Sequence, residues 1–501
     1  HCGGVESCRK CDPPQAENPA SRILFILPMK LKNDIISSYV LRKGLDTEMV
    51  VKTAVLKQLE GYFEQKENHL IALYGREDCE KEQLLKAFFK DKKVFYYRAR
   101  PASNEMQREW MADELKRNLD VSLTQHTYEE YFKRIRSGGP MKLVLVIDEV
   151  QYIMKKDPEF LEALLRLKEH KLYPGPVMIL LCSSAYGWME KEFTSFFGER
   201  RKKLDQLIKI ENLNFLEVVR ALPDYPVSEC IKVYGILGGV PGYMNRFTSK
   251  RDLKENICRN ILSRNGYMHK AAEQLIGSNL RELSVYNTIL SCIASGNNKL
   301  NDIYLATGYS RAKISVYMKN LAAFDMIEKV VSFETGGWEN SKKGIYRIKD
   351  NFIHFWYYFV YPHLSDLYLM TPEEFYDAYI DKGLDAYLEH YFSEVCKEYL
   401  FLLNQIGKLP LKAVKMGTWI GKEGNIDIIA QDAVRQNMVG SCNWSEEEFS
   451  EEMCEHLFYN MKQARISAEY YFLFSAKGFA DALVQKAKED SKFILVDMNE
   501  L

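Results

Sequence analysis

Between Tyr74 and Gln83 the chain reads Gly75-Arg76-Glu77-Asp78-Cys79-Glu80-Lys81-Glu82. A glycine followed at this spacing by a lysine is the skeleton of a loop that wraps a polyphosphate. The full pattern, G-x-x-x-x-G-K-[ST], uses its glycines to let backbone N–H groups close on phosphate. Its lysine reaches the terminal phosphates and its hydroxyl holds Mg²⁺. Gly75 and Lys81 occupy their places, but Glu80 stands at the second glycine and Glu82 at the hydroxyl. A side chain at position 80 stiffens a turn that has to hug phosphate, and Glu82 is the group left to meet a metal there. Glu77, Asp78, Glu80 and Glu82 surround the site with carboxylates. At a separation of ~4 Å and an effective dielectric of ~20, each like-charge contact with a polyanion costs up to ~4 kcal/mol before screening. The residues therefore predict a phosphate loop with its grip weakened or lost.

Leu143-Val144-Leu145-Val146-Ile147 is an apolar run that delivers Asp148-Glu149. After a phosphate loop, such a pair divides the work: Asp148 orients Mg²⁺ and Glu149 polarises the attacking water. An acidic pair after a strand is also a common helix N-cap. The two motifs together, in this order, are much rarer than either alone.

The elements that must position them follow from the apolar pattern. Leu70–Tyr74, Lys93–Tyr97, Leu143–Ile147 and Val177–Leu181 read as strands, the last ending at Ser183-Ser184. Residues 30–68, Gln83–Lys90, Glu105–Leu119, Tyr128–Ile135 and Pro158–His170 read as helical. Strands alternating with helices predict a parallel α/β sheet with right-handed crossovers over 30–225. Residues 226–278 read as a helical lid, broken at Gly238-Gly239-Val240-Pro241-Gly242; Gly-Gly-x-Pro is also an ordinary helix end and turn.

Residues 279–350 read as a winged helix. Asn301–Thr307, a turn at Gly308-Tyr309-Ser310 and Arg311–Phe324 form its helix-turn-helix. Val330–Ile348 forms the wing, with Gly336-Gly337 at its tip and Lys342 and Lys343 beside it. Arg311, Lys313 and Lys319 are candidates for DNA phosphates; the alternative is a domain that only packs on its neighbours. Residues 351–379, with Pro362 and Pro372, read as a linker that contains the short aromatic helix Phe352–Tyr361, and 380–501 as a further α/β domain.

Bulk properties set limits. A chain of 501 residues suggests three or four domains. Net charge is −1, from 68 basic and 69 acidic residues, so global charge points neither to nucleic acid nor to a membrane. No apolar run has the length of a membrane helix, and Ile23–Leu27 is too short for a secretory signal. Eleven scattered cysteines predict a reducing compartment, hence a cytoplasmic protein. Residues 1–29 read as a tail. Its Cys8-Arg9-Lys10-Cys11, with His1 or Cys2, has the spacing of half a zinc site.

With these motifs in this order, the chain resembles the archaeal-type AAA+ P-loop ATPase family, also bacterial, which carries a C-terminal domain of unknown function. The likeness spans residues 45–501. Tyr74-Gly75-Arg76 resembles the family's loop opening, and Ile147-Asp148-Glu149-Val150-Gln151-Tyr152 its Walker B segment. Cys182-Ser183-Ser184 resembles the sensor strand end, which implies Ser183 at the γ-phosphate. Gly198-Glu199-Arg200-Arg201 lies at the family's Gly-Arg segment, which implies Arg200 as an arginine finger, with Glu199 an addition to the pattern. Gly238-Gly239-Val240-Pro241 resembles the lid motif, which implies Pro241 near adenine.

The C-terminal part is similar to a restriction-endonuclease-like fold. Asp427 fits its metal-binding carboxylate, while Ser441 and Asn443 stand where Glu and Lys are needed, and with Ser393-Glu394 on the upstream helix the acid expected there is shifted or lost. These three residues are read as a nuclease remnant. The resemblance implies ATP and Mg²⁺ as cofactors, DNA or a protein as partner, no membrane, and an oligomer as an option. The damaged motifs favour an AAA+ protein with impaired or lost hydrolysis, acting as an ATP-binding or regulatory, DNA-associated module. The alternative is an active Mg²⁺-dependent ATPase that drives conformational change on DNA or protein.

Overall fold

The computed structural model describes residues 51–119, 123–136, 141–169, 176–277, 282–333, 344–445 and 447–498. The cysteine-bearing tail, the helix expected over 30–50, and Gly336, Gly337, Lys342 and Lys343 lie outside the described residues. The chain divides into two compact units. One comprises residues 33–330 and 344–384; the other takes in 331–343 and 385–501.

The first unit is built on five strands: β1 (His69–Tyr74), β2 (Lys93–Arg98), β3 (Leu143–Asp148), β4 (Val177–Ser183) and β5 (Gln206–Lys209). Their order is β2-β3-β4-β1-β5, and every pairing is parallel. Every residue of β1, β3 and β4 is buried. Strands covered on both faces need apolar side chains on both, which is why they read as unbroken hydrophobic runs. The period of two sorts them: Leu70, Ala72, Leu145, Ile147, Ile179 and Leu181 enter one core, while Ile71, Leu73, Val144, Val146, Met178 and Leu180 enter the other. Each such side chain contributes about 1.5–3 kcal/mol of burial. Helices Thr53–Glu64, Lys81–Phe89, Asn104–Leu119, Tyr128–Arg136 and Pro158–Glu169 provide the rest of this domain's frame.

Helix Val227–Leu237 ends at Gly238, and Gly239 follows; both adopt positive φ. A Cβ on Gly239 would fall 2.1 Å from the Leu213 carbonyl oxygen, so the motif is needed as a turn whatever else it does. Pro241 then opens the short helix Pro241–Met244, and Tyr267–Gly277 completes the segment. Three helices, Leu283–Ala294, Leu300–Thr307 and Arg311–Ala323, precede a two-stranded sheet of β6 (Ile327–Val331) and β7 (Gly344–Ile348).

The segment read as a linker is structured. Asp350 caps helix Asn351–Phe355 through the Ile353 N–H, and Phe352, Trp356, Tyr357 and Phe359 are buried. Pro362 sits in a 3₁₀ turn and Pro372 opens a helix behind a Thr371/Glu374 capping box. Both prolines occupy helix starts, where a missing N–H costs nothing.

The second unit holds a mixed sheet ordered β12-β11-β10-β9-β8, from β8 (Ala413–Ile420), β9 (Asn425–Asp432), β10 (Asn437–Asn443), β11 (Tyr470–Ser475) and β12 (Phe493–Asp497). β8, β9 and β10 pair antiparallel; β10, β11 and β12 pair parallel. Residues 331–333 lie against β8: the Phe333 N–H donates to the Thr418 carbonyl at 2.8 Å, and Ser332 Oγ accepts the Ile420 N–H at 2.9 Å. The α/β class expected from the sequence holds for both units.

Candidate functional site

The loop after β1 lies at the carboxyl end of the sheet, where β1 is flanked by β4 and β5. Open α/β sheets bind ligands at such a position. Gly75 has no room for a side chain, since a Cβ would come 2.5 Å from Cys79 Sγ. Glu77–Cys79 form a 3₁₀ turn, Glu80 adopts φ 57° and ψ 37°, and Lys81 begins the next helix. Glu80 thus holds the left-handed conformation that the phosphate-loop pattern assigns to glycine. The substitution keeps the turn, at a strain on the order of 1–2 kcal/mol.

Lys81, only 8% exposed, lies with its Nζ 2.5 Å from Asp148 Oδ1 and 3.1 Å from Glu149 Oε1. Burial works against the Lys81 ammonium, but its neighbours Cys182, Asp148 and Glu149 outweigh it and hold the pKa above the usual lysine range. Burial likewise works against Glu149. Lys81, Gln151 and Ser184 reverse that, and the carboxyl sits below its ordinary value.

Both oxygens of the fully buried Asp148 are engaged. Oδ1 accepts from Lys81 and from the Glu149 N–H at 3.0 Å. Oδ2 accepts the Tyr96 hydroxyl at 2.7 Å and lies 4.0 Å from Arg98 Nε. Glu149, also at positive φ, receives Gln151 Nε2 and Ser184 Oγ on Oε2, each at 2.8 Å. Ser183 Oγ donates to Gln151 Oε1 at 2.7 Å, so its contact with the acidic pair runs through Gln151. Glu82 Oε1 pairs with Arg98 Nη1 at 2.8 Å.

The structure therefore brings Gly75, Lys81, Glu82, Asp148, Glu149 and Ser183 to one place. Tyr96, Arg98, Gln151 and Ser184 join them. Gln151 and Ser184 lay inside the quoted motifs. Tyr96 and Arg98 become visible only from strand order, because β2 pairs with β3 in the register Arg98↔Asp148.

Pro241 is buried, and the glycine after it rests on the loop, since a Cβ on Gly242 would lie 2.9 Å from the Asp78 carbonyl oxygen. Arg200 stands apart, paired with Glu162 at 2.5 Å. Arg311, Lys313 and Lys319 are exposed on helix Arg311–Ala323. Arg311 bonds Asn301 at 2.9 Å and lies over Tyr304, while Lys313 lies over Tyr309.

In the second unit, Asp427 Oδ2 accepts the Cys442 N–H at 2.9 Å, and burial raises its carboxyl to about 6. Ser441 lies on β10 opposite Leu473. Asn443 closes a turn by donating to the Glu447 carbonyl and accepting from Ser445. Among the described residues no group of three His, Cys, Asp or Glu side chains is placed to hold a metal.

The cradle and the lysine of the phosphate-loop pattern are kept. Lys81 pairs with Asp148, and Glu82, a carboxylate where the pattern has a hydroxyl for Mg²⁺, pairs with Arg98 at the surface.

Residues 52–247 match a family of ATPase domains found predominantly in Archaea. Over these residues the chain is similar to that family, an ATPase-like domain. Beyond them, residues 356–457 match a family of archaeal and bacterial proteins of unknown function. An uncharacterized protein of Methanocaldococcus jannaschii is 26% identical over 376 residues, covering 75% of this chain and 82% of its own. Among solved structures, a Walker-type ATPase of Pyrococcus abyssi superposes with a TM-score of 0.44 at 18% identity, over 63% of this chain and 98% of that one. The ORC2 protein of Aeropyrum pernix, solved in ADPNP–ADP complexes, gives 0.38 at 10% identity, over 63% and 92%. Among the described residues no helix is long and apolar enough to cross a membrane, and the eight described cysteines are free.

Proposed function

We propose that the ATPase domain, of the AAA+ type, binds ATP and Mg²⁺ weakly, hydrolyses ATP slowly or not at all, and serves as a regulatory, DNA-associated module in the cytoplasm. The observation that carries this reading is the internal pairing of the phosphate loop. Lys81 is held by Asp148 and Glu149, and Glu82 by Arg98. A nucleotide has to displace these pairs while bringing its own negative charge up to Glu77, Asp78, Glu80 and Glu82, each contact opposed by like-charge repulsion.

Three helices followed by a two-stranded sheet over residues 283–348 support a winged helix, and Arg311, Lys313 and Lys319 are its DNA-facing cations. The free cysteines support a reducing compartment. In an oligomer, Arg200 would be available to a neighbouring copy only after leaving Glu162. Ser441 and Asn443 lend no support to a nuclease.

Calorimetric titration of the full chain with Mg²⁺-ATP tests the first half: no binding below millimolar ATP is expected, and micromolar affinity overturns it. Fluorescence anisotropy with duplex DNA tests the second. Arg311→Glu with Lys313→Glu should weaken binding, and equal binding by parent and variant removes the DNA role.

The second reading, a working Mg²⁺-dependent ATPase, has one observation in its favour: Gln151 and Ser184 hold Glu149 in place, as an activator of water requires. If it is right, Lys81→Ala and Glu149→Gln each abolish turnover.

A further inference from the structure

We propose that the carboxylates of Asp78 and Glu80 form a latch that holds the helical segment 227–277 closed on the phosphate loop without nucleotide. This rests on the reading that the loop grips nucleotide weakly, since the closed lid then has to be held by protein groups.

The latch has two arms. Tyr267 donates its hydroxyl to Asp78 Oδ1 at 2.8 Å. The Asn245 side chain hydrogen-bonds Glu80, and the charge of the neighbouring Arg246 favours that carboxylate. The arms are joined, because the Arg246 guanidinium stacks over the Tyr267 ring at 4.0 Å. Between them, helix Pro241–Met244 seats directly on the turn: a Cβ on Gly242 would lie 2.9 Å from the Asp78 carbonyl oxygen and 3.1 Å from Asp78 Cβ. Behind the seat, Tyr243 is buried against Phe352 with ring centroids 5.1 Å apart.

The pattern of partners separates a latch from simple decay. Of the four carboxylates in the loop, Glu77 is turned to solvent and Glu82 meets Arg98. The two that lie under the lid, Asp78 and Glu80, each meet a lid donor, Tyr267 and Asn245. A polyphosphate held between loop and lid would bridge them through its oxygens; here side-chain carboxylates supply the bridging acceptors. Burial pushes the Glu80 carboxyl up, with the Arg246 charge and the Asn245 hydrogen bond opposing it.

Amide hydrogen exchange of the full chain tests the latch. Tyr267→Phe keeps the ring under Arg246 and deletes only the hydroxyl. Loss of one hydrogen bond to a charged acceptor should speed exchange in 241–244 and 267–277 about tenfold or more, with β1 and β3 unchanged. Arg246→Met, which keeps the aliphatic stem, should do the same through the other arm and serves if Tyr267→Phe fails to fold. Parent-like exchange in the lid of the folded variants overturns the proposal. The outcome is separable from the nucleotide reading: micromolar binding of Mg²⁺-ATP by the parent would sink that reading, whereas unchanged exchange would sink the latch whatever the titration gives.

Discussion

The guanidinium of Arg76 lies 2.7 Å from the carboxylate of Asp350, joining the first residue after Gly75 to the cap of helix Asn351–Phe355. The Asp350 side chain has no exposed surface. Burial works against the Arg76 charge, but Asp350 more than restores it and raises the pKa. Removing one partner of a buried pair leaves the other charge without compensation, at about 3–5 kcal/mol. Arg76→Ala should therefore lower the urea midpoint strongly. Asp350→Asn should cost less, because its amide oxygen still caps Ile353. A parent-like midpoint for Arg76→Ala would show that the pair carries no weight.

Reverting the loop to its phosphate-binding pattern is the complementary experiment. Glu80→Gly with Glu82→Ser removes two carboxylates, restores a hydroxyl for Mg²⁺ and relieves the left-handed strain at position 80. Affinity for Mg²⁺-ATP should rise at least tenfold, about 1.4 kcal/mol or more, which is well within the repulsion removed. Unchanged affinity in calorimetry would place the obstacle at the Lys81–Asp148–Glu149 pairing instead.

Asp427 makes stability depend on pH in a predictable direction. Its folded pKa of about 6 lies above the ordinary value of 3.8, so the folded state holds a proton that the unfolded chain gives up. The stabilisation is fully present below 3.8 and lost as pH rises through 6. Asp427→Asn should therefore raise the melting temperature at pH 8 and leave it unchanged at pH 3.5. Asp427 as a residue is only half-buried, so the gain at pH 8 should be about 1–2 kcal/mol rather than the full shift. An equal effect at both values would mean that Asp427 does not carry the titration.

Much of the parallel sheet of the first unit was legible because its central strands, among them Leu70–Tyr74 and Leu143–Ile147, are buried on both faces. The helix expected from Gln83 begins at Lys81, because Glu80 takes the turn in a conformation that residue type does not advertise. Tyr96 and Arg98 escaped notice for a different reason. Their meeting with Asp148 depends on β2 lying beside β3, a long-range fact that local periodicity does not contain. The Arg76–Asp350 pair is hidden in the same way. The prolines at 362 and 372 suggested a linker, yet they begin helical turns within a buried aromatic run. In the second unit, Asp427 lies on β9, while the role of Asn443 as a turn-former rests on partners two and four residues further on.

The placement of residues 331–333 against β8 has a consequence for how the chain is made. Phe333 leaves the ribosome well before Thr418, its hydrogen-bonding partner, and the intervening residues 344–384 complete the other unit first. A fragment beginning at 385 would lack this piece and present β8, the outermost strand of its sheet, with part of its edge bare, an invitation for a strand from another copy. The two units are thus interleaved along the polypeptide: no single cut yields both intact, and the C-terminal sheet is complete only in a product that keeps the crossing at 331.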